Sequence, residues 1–188
     1  MEKETLICNL FGGPGISKTT TSAGIFSLLK LHSVEVELVP EFAKDLVWEE
    51  RHVTLSDQNY VFGKQHHRIW RLSGKVDVVI TDSPLLLNLI YGKINSNVSD
   101  SFYDNVLTIF RKFNNLNILL ERRKEYNPNG RYQTKEQSIK IDNMVKDTLD
   151  TFKFSYTKVP GTFEAINTTT ELILNRFNKE IKFKVGMV

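Results

Sequence analysis

Residues 6–20 constrain this chain more than any other stretch. Leu6-Ile7-Cys8-Asn9-Leu10 is a mostly apolar run with the composition of a buried strand. Phe11 follows, then Gly12-Gly13-Pro14-Gly15-Ile16, then Ser17-Lys18-Thr19-Thr20 and a segment of helical character. The order matches the phosphate-binding pattern G-x-x-x-x-G-K-[ST], with Ser17 where the pattern has glycine. Glycines let successive backbone N–H groups turn inward to form a concave anion site. The positive end of the following helix adds to that attraction. Lys18 is placed to reach β- and γ-phosphates and the Thr19 hydroxyl to ligate Mg²⁺. Ser17 is expected to be already helical, where a side chain costs little.

The rest of the chain reads as alternating strands and helices. Thr19–Leu31 carries Ile25, Leu28, Leu29 and Leu31 on a roughly helical repeat. Residues 34–39 alternate and are β-branched, giving a βαβ unit with a parallel strand pair. Residues 46–72 read as mixed and mostly helical, with Gln58, Phe62, Gln65 and Ile69 on one face. Further strands are expected at 76–81, 116–120 and 155–159, and helices at 85–91, 102–113, 134–152 and 164–177. The third of these helices carries Ile139, Ile141, Val145 and Leu149, and the tail from Asn178 has no assignment. The fold class is therefore α/β: a three-layer fold with a five-stranded, mostly parallel sheet flanked by helices.

Composition narrows the function classes. With 188 residues, a single domain over 1–188 is expected. No run of 18 apolar residues exists, and Met1–Thr5 leads straight into the first strand without a signal peptide. The one cysteine, Cys8, permits no disulfide framework, which points to a cytoplasmic setting. Net charge is +3 and the isoelectric point is near 8.9, so polyanion binding is allowed but not required. The four histidines show no metal spacing.

Ligands of open parallel sheets bind at the carboxyl ends of the strands, and several candidates fall there. Asp82 ends the third strand, where a carboxylate faces the phosphate loop and Mg²⁺. Glu41 follows the second strand and is a candidate to orient an acceptor hydroxyl and take its proton. Phe42, Gln58, Phe62 and Gln65 offer an aromatic face and amide edges to an acceptor base. Arg122 and Arg131 flank the turn-rich segment after the fourth strand, within a lid at about 121–140. Gly161 and Thr162, after the fifth strand, are placed to pack against adenine.

With these residues in hand, the chain resembles small P-loop kinases. The Gly-Gly-Pro-Gly loop is similar to that of adenylate kinases, and Pro40-Glu41-Phe42-Ala43 to the segment after the second strand of deoxynucleoside kinases. Together with Thr81-Asp82-Ser83-Pro84 and Asn129-Gly130-Arg131, these resemble the NadR-like, AAA-named kinase group, many members of which are encoded by bacteriophages. The resemblance implies ATP, Mg²⁺ and phosphoryl transfer to a nucleoside, a nucleotide or a related hydroxyl. A hydroxymethylated base within DNA is an alternative acceptor, and the oligomeric state stays open between monomer and homodimer. Lys18-Thr19-Thr20-Thr21 also resembles ParA/MinD-type switch ATPases, but those carry an additional lysine where this chain has Phe11-Gly12-Gly13.

Overall fold

The first apolar run forms strand β1 (Leu6–Phe11), buried at every position because a strand lies on each side of it. This computed structural model describes residues 3–95, 98–123 and 134–184, without side chains beyond 177. After β1 come α1 (Lys18–Leu31), β2 (Val36–Val39), α2 (Phe42–Trp48), α3 (His52–Ser56) and α4 (Gln58–Trp70). Then follow β3 (Val78–Thr81), α5 (Leu87–Asn95), α6 (Asp100–Arg111), β4 (Asn114–Glu121), α7 (Lys135–Thr151), β5 (Thr157–Pro160) and α8 (Glu164–Lys184).

The sheet order is β2-β3-β1-β4-β5, and every pairing is parallel. All five strands therefore release their chains at one edge. Gly12, Pro40-Glu41, Asp82, Arg122 and Gly161 leave the sheet there. This is the α/β architecture that the strand–helix alternation predicts.

Side-chain alternation divides the core between the two faces of the sheet. Ile7, Phe11, Val79 and Leu119 pack with residues of α4 to α7, including Phe62, Leu89, Phe110 and Val145. Leu6, Cys8, Leu10, Ile80 and Ile118 pack against Ile25 and Leu29 of α1 and Ile166 and Ile173 of α8. Burial pushes the Cys8 thiol up to about 12, so it acts as a small hydrophobe.

Two leucine-class expectations fail for one geometric reason. Leu31 is 81% exposed and Ile139 42%, although both belong to apolar repeats. Each lies two residues from an inward neighbour, Leu29 or Ile141, and two residues is about half a helical turn. Ser138 takes the inward position instead, its hydroxyl donating to Thr134 O at 2.9 Å. The 46–72 region resolves into α2, α3 and α4, and the Asp57 side chain caps α4 by accepting from Tyr60 N.

The strand β4 starts with a polar pair, Asn114-Asn115, which apolar patterning cannot detect. Asn9 Nδ2 donates to Asn115 Oδ1 at 2.9 Å and to Asn117 Oδ1 at 3.1 Å. Asn115 donates onward to Phe110 O and Phe113 O, and Asn117 to Ser155 O. A register slip would strand these buried amides, so the network fixes how β1 meets β4. Asn9→Ala removes the donor and leaves two amide oxygens without it. We expect a loss of about 2–4 kcal/mol in urea unfolding, at about 1–3 kcal/mol for each unsatisfied buried group.

Candidate active site

The loop from Gly12 to Ser17 curls through three left-handed or glycine-type conformations: Gly12 at φ 141°, Gly15 at 82° and Ser17 at 76°. Ser17, at ψ 17°, is left-handed rather than helical, which corrects the expectation from sequence. The cause is the nest itself, since alternating handedness turns consecutive N–H groups to one side. Serine thus bears a strain that glycine would not. Its carbonyl still accepts from Thr21 N at 2.9 Å and opens the hydrogen bonding of α1.

Lys18 reaches back across the loop, donating to Gly12 O at 2.7 Å and Gly13 O at 3.0 Å. Burial lowers its pKa, opposed by the carboxylates of Glu41, Asp82 and Asp142. Thr19 and Thr20 are exposed at the first turn of α1. The Thr19 hydroxyl donates to Asp82 Oδ2 at 2.6 Å, joining the phosphate loop to the end of β3.

Glu41 is the N-cap residue of α2 and is partly buried, without a capping bond of its own. Burial raises its pKa, Lys18 pulls it down and Asp82 pushes it up again. Glu41 thus feels the charges of both Lys18 and Asp82. Tyr91 of α5, unforeseen, joins them: burial, then Glu41 and Asp142, hold its hydroxyl in the neutral form. Its signal was only a polar tip next to Leu89 and Ile90 in α5.

Arg122, the first residue after β4, lies against the loop. Its Nη2 donates to Pro14 O at 2.9 Å and to Asp142 Oδ1 at 3.2 Å, and its Nε to Asp142 Oδ2 at 2.7 Å. Asp142 Oδ1 also accepts from Gly13 N at 2.6 Å. A Cβ on Gly13 would come within 2.6 Å of Ser138 O, so only glycine lets α7 approach this closely. Sequence reasoning missed Asp142. Its one signal is a carboxylate beside the apolar stripe of Ile141, Val145 and Leu149.

Other candidates have structural tasks. Gln65 Oε1 accepts from Phe42 N at 2.9 Å, and Nε2 donates to Thr81 Oγ1 at 3.3 Å and Pro40 O at 3.4 Å. Its amide, expected to face a base, instead ties β2, β3 and α2 together. Gln58 is buried and donates to Leu55 O. Phe62 is core, stacked on His66 and edge-on to Phe102. Phe42 packs edge-on to Tyr60, with the Arg68 guanidinium over its ring. Gly161 backs the loop, since a Cβ there would come within 2.8 Å of Ile16 O. Thr162 Oγ1 beside it is buried without a hydrogen-bond partner. Arg131, with the rest of residues 124–133, lies outside the described residues.

The donor set suits Mg²⁺ and not a closed protein cage. Asp82 Oδ1 is buried without a hydrogen-bond partner among the described residues, next to the Thr19 hydroxyl bound to Oδ2. Among the described residues no group of three His, Cys, Asp or Glu side chains could hold a metal alone. One carboxylate and one hydroxyl completed by phosphate oxygens and water is how Mg²⁺ is commonly bound.

A family model described as an AAA domain matches residues 7–165. The chain belongs to that family. No curated protein matches it. Among solved structures it is similar to a deoxyadenosine kinase from M. mycoides with the products dCMP and a flexible dCDP bound. The TM-score is 0.56 at 18% identity, covering 92% of this chain and 99% of that one. The same enzyme with bound dATP gives 0.53 at 19%, covering 92% and 98%. Thymidylate kinase from Ehrlichia chaffeensis gives 0.56 at 15%, covering 93% and 99%. At these identities the likeness establishes the fold: this domain has the fold of nucleoside and nucleotide kinases.

Ser17→Gly tests the loop strain. Relief of about 1–2 kcal/mol from the left-handed serine is offset by about 0.4–1 kcal/mol of extra unfolded-chain freedom. A net gain of up to about 1 kcal/mol is expected in thermal unfolding. A less stable glycine variant would contradict it.

Proposed function

We propose that this protein moves the γ-phosphate of Mg-ATP to a hydroxyl of a nucleoside or nucleotide-type acceptor. The observation that carries this reading is Glu41, a partly buried carboxylate that leaves β2 at the same sheet edge as the phosphate-binding loop and Asp82. A carboxylate there can take a proton from an acceptor hydroxyl or from water, and the likeness to a deoxyadenosine kinase and a thymidylate kinase favours the hydroxyl.

Each residue has a separate task in this reading. The loop N–H groups and Lys18 bind the phosphates. Thr19 and Asp82 would hold Mg²⁺, which when bound neutralises charge on the phosphate oxygens. Glu41 orients the acceptor hydroxyl and takes its proton. Arg122 lies on the loop beside Pro14, and its Nη1 is buried without a hydrogen-bond partner among the described residues. Such a donor suits charge that spreads over the transferring group. Arg131 is assigned the companion role from its place in the sequence, and Gly161 and Thr162 the donor base. The neighbours' named substrates support the acceptor class, since a deoxyadenosine kinase and a thymidylate kinase act on a nucleoside and a nucleotide.

Incubation with Mg-ATP and a panel of nucleosides, nucleotides and hydroxymethylated DNA, read by mass spectrometry, tests the class. A phosphorylated small molecule is the expected product. Phosphorylated DNA alone would redirect the acceptor assignment, and no product of any kind would overturn the reading. Lys18→Ala should weaken Mg-ATP binding and cut turnover by orders of magnitude, and unchanged calorimetry and turnover would refute the loop assignment.

Glu41 gives a pH signature. Burial raises its carboxyl above the ordinary 4.5. Below that raised value the base is protonated and idle, so kcat/KM for the acceptor should climb with pH through it. Glu41→Gln should lower turnover by about 10²–10⁴ and abolish this acid limb. Mg-ATP affinity should stay within a few-fold. A retained limb in the glutamine variant would assign the titration to another group.

A further inference from the structure

The contact between α7 and the phosphate loop has no place in the reaction as described so far. Asp142 offers two oxygens to three donors: Gly13 N, Arg122 Nε and Arg122 Nη2. The pair is largely buried, with side-chain exposures of 14% for Arg122 and 20% for Asp142. Such a bidentate pair fixes the plane of a guanidinium as well as its position. Nη2 also donates to Pro14 O, so one side of the fork is fully engaged. Nη1, on the other side, is buried and has no hydrogen-bond partner among the described residues. A buried donor of this kind is costly unless something answers it.

The rest of α7 is built to hold Asp142 where it is. Thr134 and Gln137 form a reciprocal capping box that sets where the helix begins. Ile141, Val145 and Leu149 bury its apolar stripe. Ser138, one turn before Asp142, is fully buried against Gly13.

Resting on the phosphotransferase reading, we propose that Asp142 is a positioning residue. It seats the Arg122 guanidinium flat against the phosphate loop and leaves Nη1 free for a phosphoryl oxygen. It also joins α7 to the loop through Gly13. Asp142 touches neither nucleotide nor acceptor, and its effect on turnover passes through Arg122.

A double-mutant cycle on the full chain tests this. Asp142→Ala should lower kcat about a hundredfold, the penalty for a misplaced catalytic group, with the acceptor KM changed only a few-fold. Asp142→Asn keeps one acceptor oxygen for Gly13 N and should lose roughly tenfold. In the Arg122→Ala background, Asp142→Ala should cost almost nothing more. Added guanidinium should restore activity to Arg122→Ala but not to the double variant. Two costs that multiply, or equal rescue of both variants, would overturn the proposal. So would an Asp142→Asn enzyme with full kcat and only a lowered melting temperature. Acceptor-free hydrolysis of Mg-ATP reads the same cycle. A wild type that phosphorylates nothing therefore defeats the transfer reading, while the same non-additivity in hydrolysis still upholds Asp142.

Discussion

The backbone curl between β1 and α1 is the constraint on which the rest of the structure depends. Three positive φ values within six residues, at Gly12, Gly15 and Ser17, turn the loop into an anion nest. That curl survives only because it is braced from several directions. Lys18 bridges its first carbonyls, Arg122 holds Pro14, Asp142 holds Gly13, and the turn after β5 closes on Ile16. Lys18 comes from the start of α1, Asp142 from α7, and the other two braces from the carboxyl ends of β4 and β5. The parallel order β2-β3-β1-β4-β5 makes this possible, because it puts β1 in the middle and points every strand exit the same way.

Electrostatics then separates the roles. Lys18 faces three carboxylates in a desolvated site, and that same desolvation raises Glu41. In the proposed reaction this charge would serve a polyanion and a divalent cation that enter together. The carboxylates would be poorly placed toward phosphate alone, and Lys18 and Arg122 toward metal alone. Asp82 Oδ1 and Arg122 Nη1, both buried without hydrogen-bond partners among the described residues, fit that division.

How much was legible in the sequence follows from what each residue's neighbours are. The strand–loop–helix and the positions of Asp82 and Glu41 at strand ends were readable because they lie in local order along the chain. Strands and helices were readable from periodicity, and the face Gln58, Phe62, Gln65 and Ile69 is buried as that pattern requires. Gln65 was misread because its partners, Pro40, Phe42 and Thr81, come from other elements, and an amide can serve a backbone as well as a base. Asp142 was invisible because Gly13 and Arg122 are 129 and 20 residues away. Ser17 was misjudged because handedness is set by the nest as a whole and not by the serine.

The most direct measurement is a single turnover with enzyme in excess over γ-labelled ATP, with and without a matched nucleoside or nucleotide acceptor. If Glu41 and Arg122 serve transfer, label should pass into the acceptor at least about a hundredfold faster than free phosphate appears in its absence, the advantage of a positioned hydroxyl. Phosphate released equally fast with or without the acceptor, and hastened by DNA or a protein partner, would contradict transfer and leave a switch ATPase.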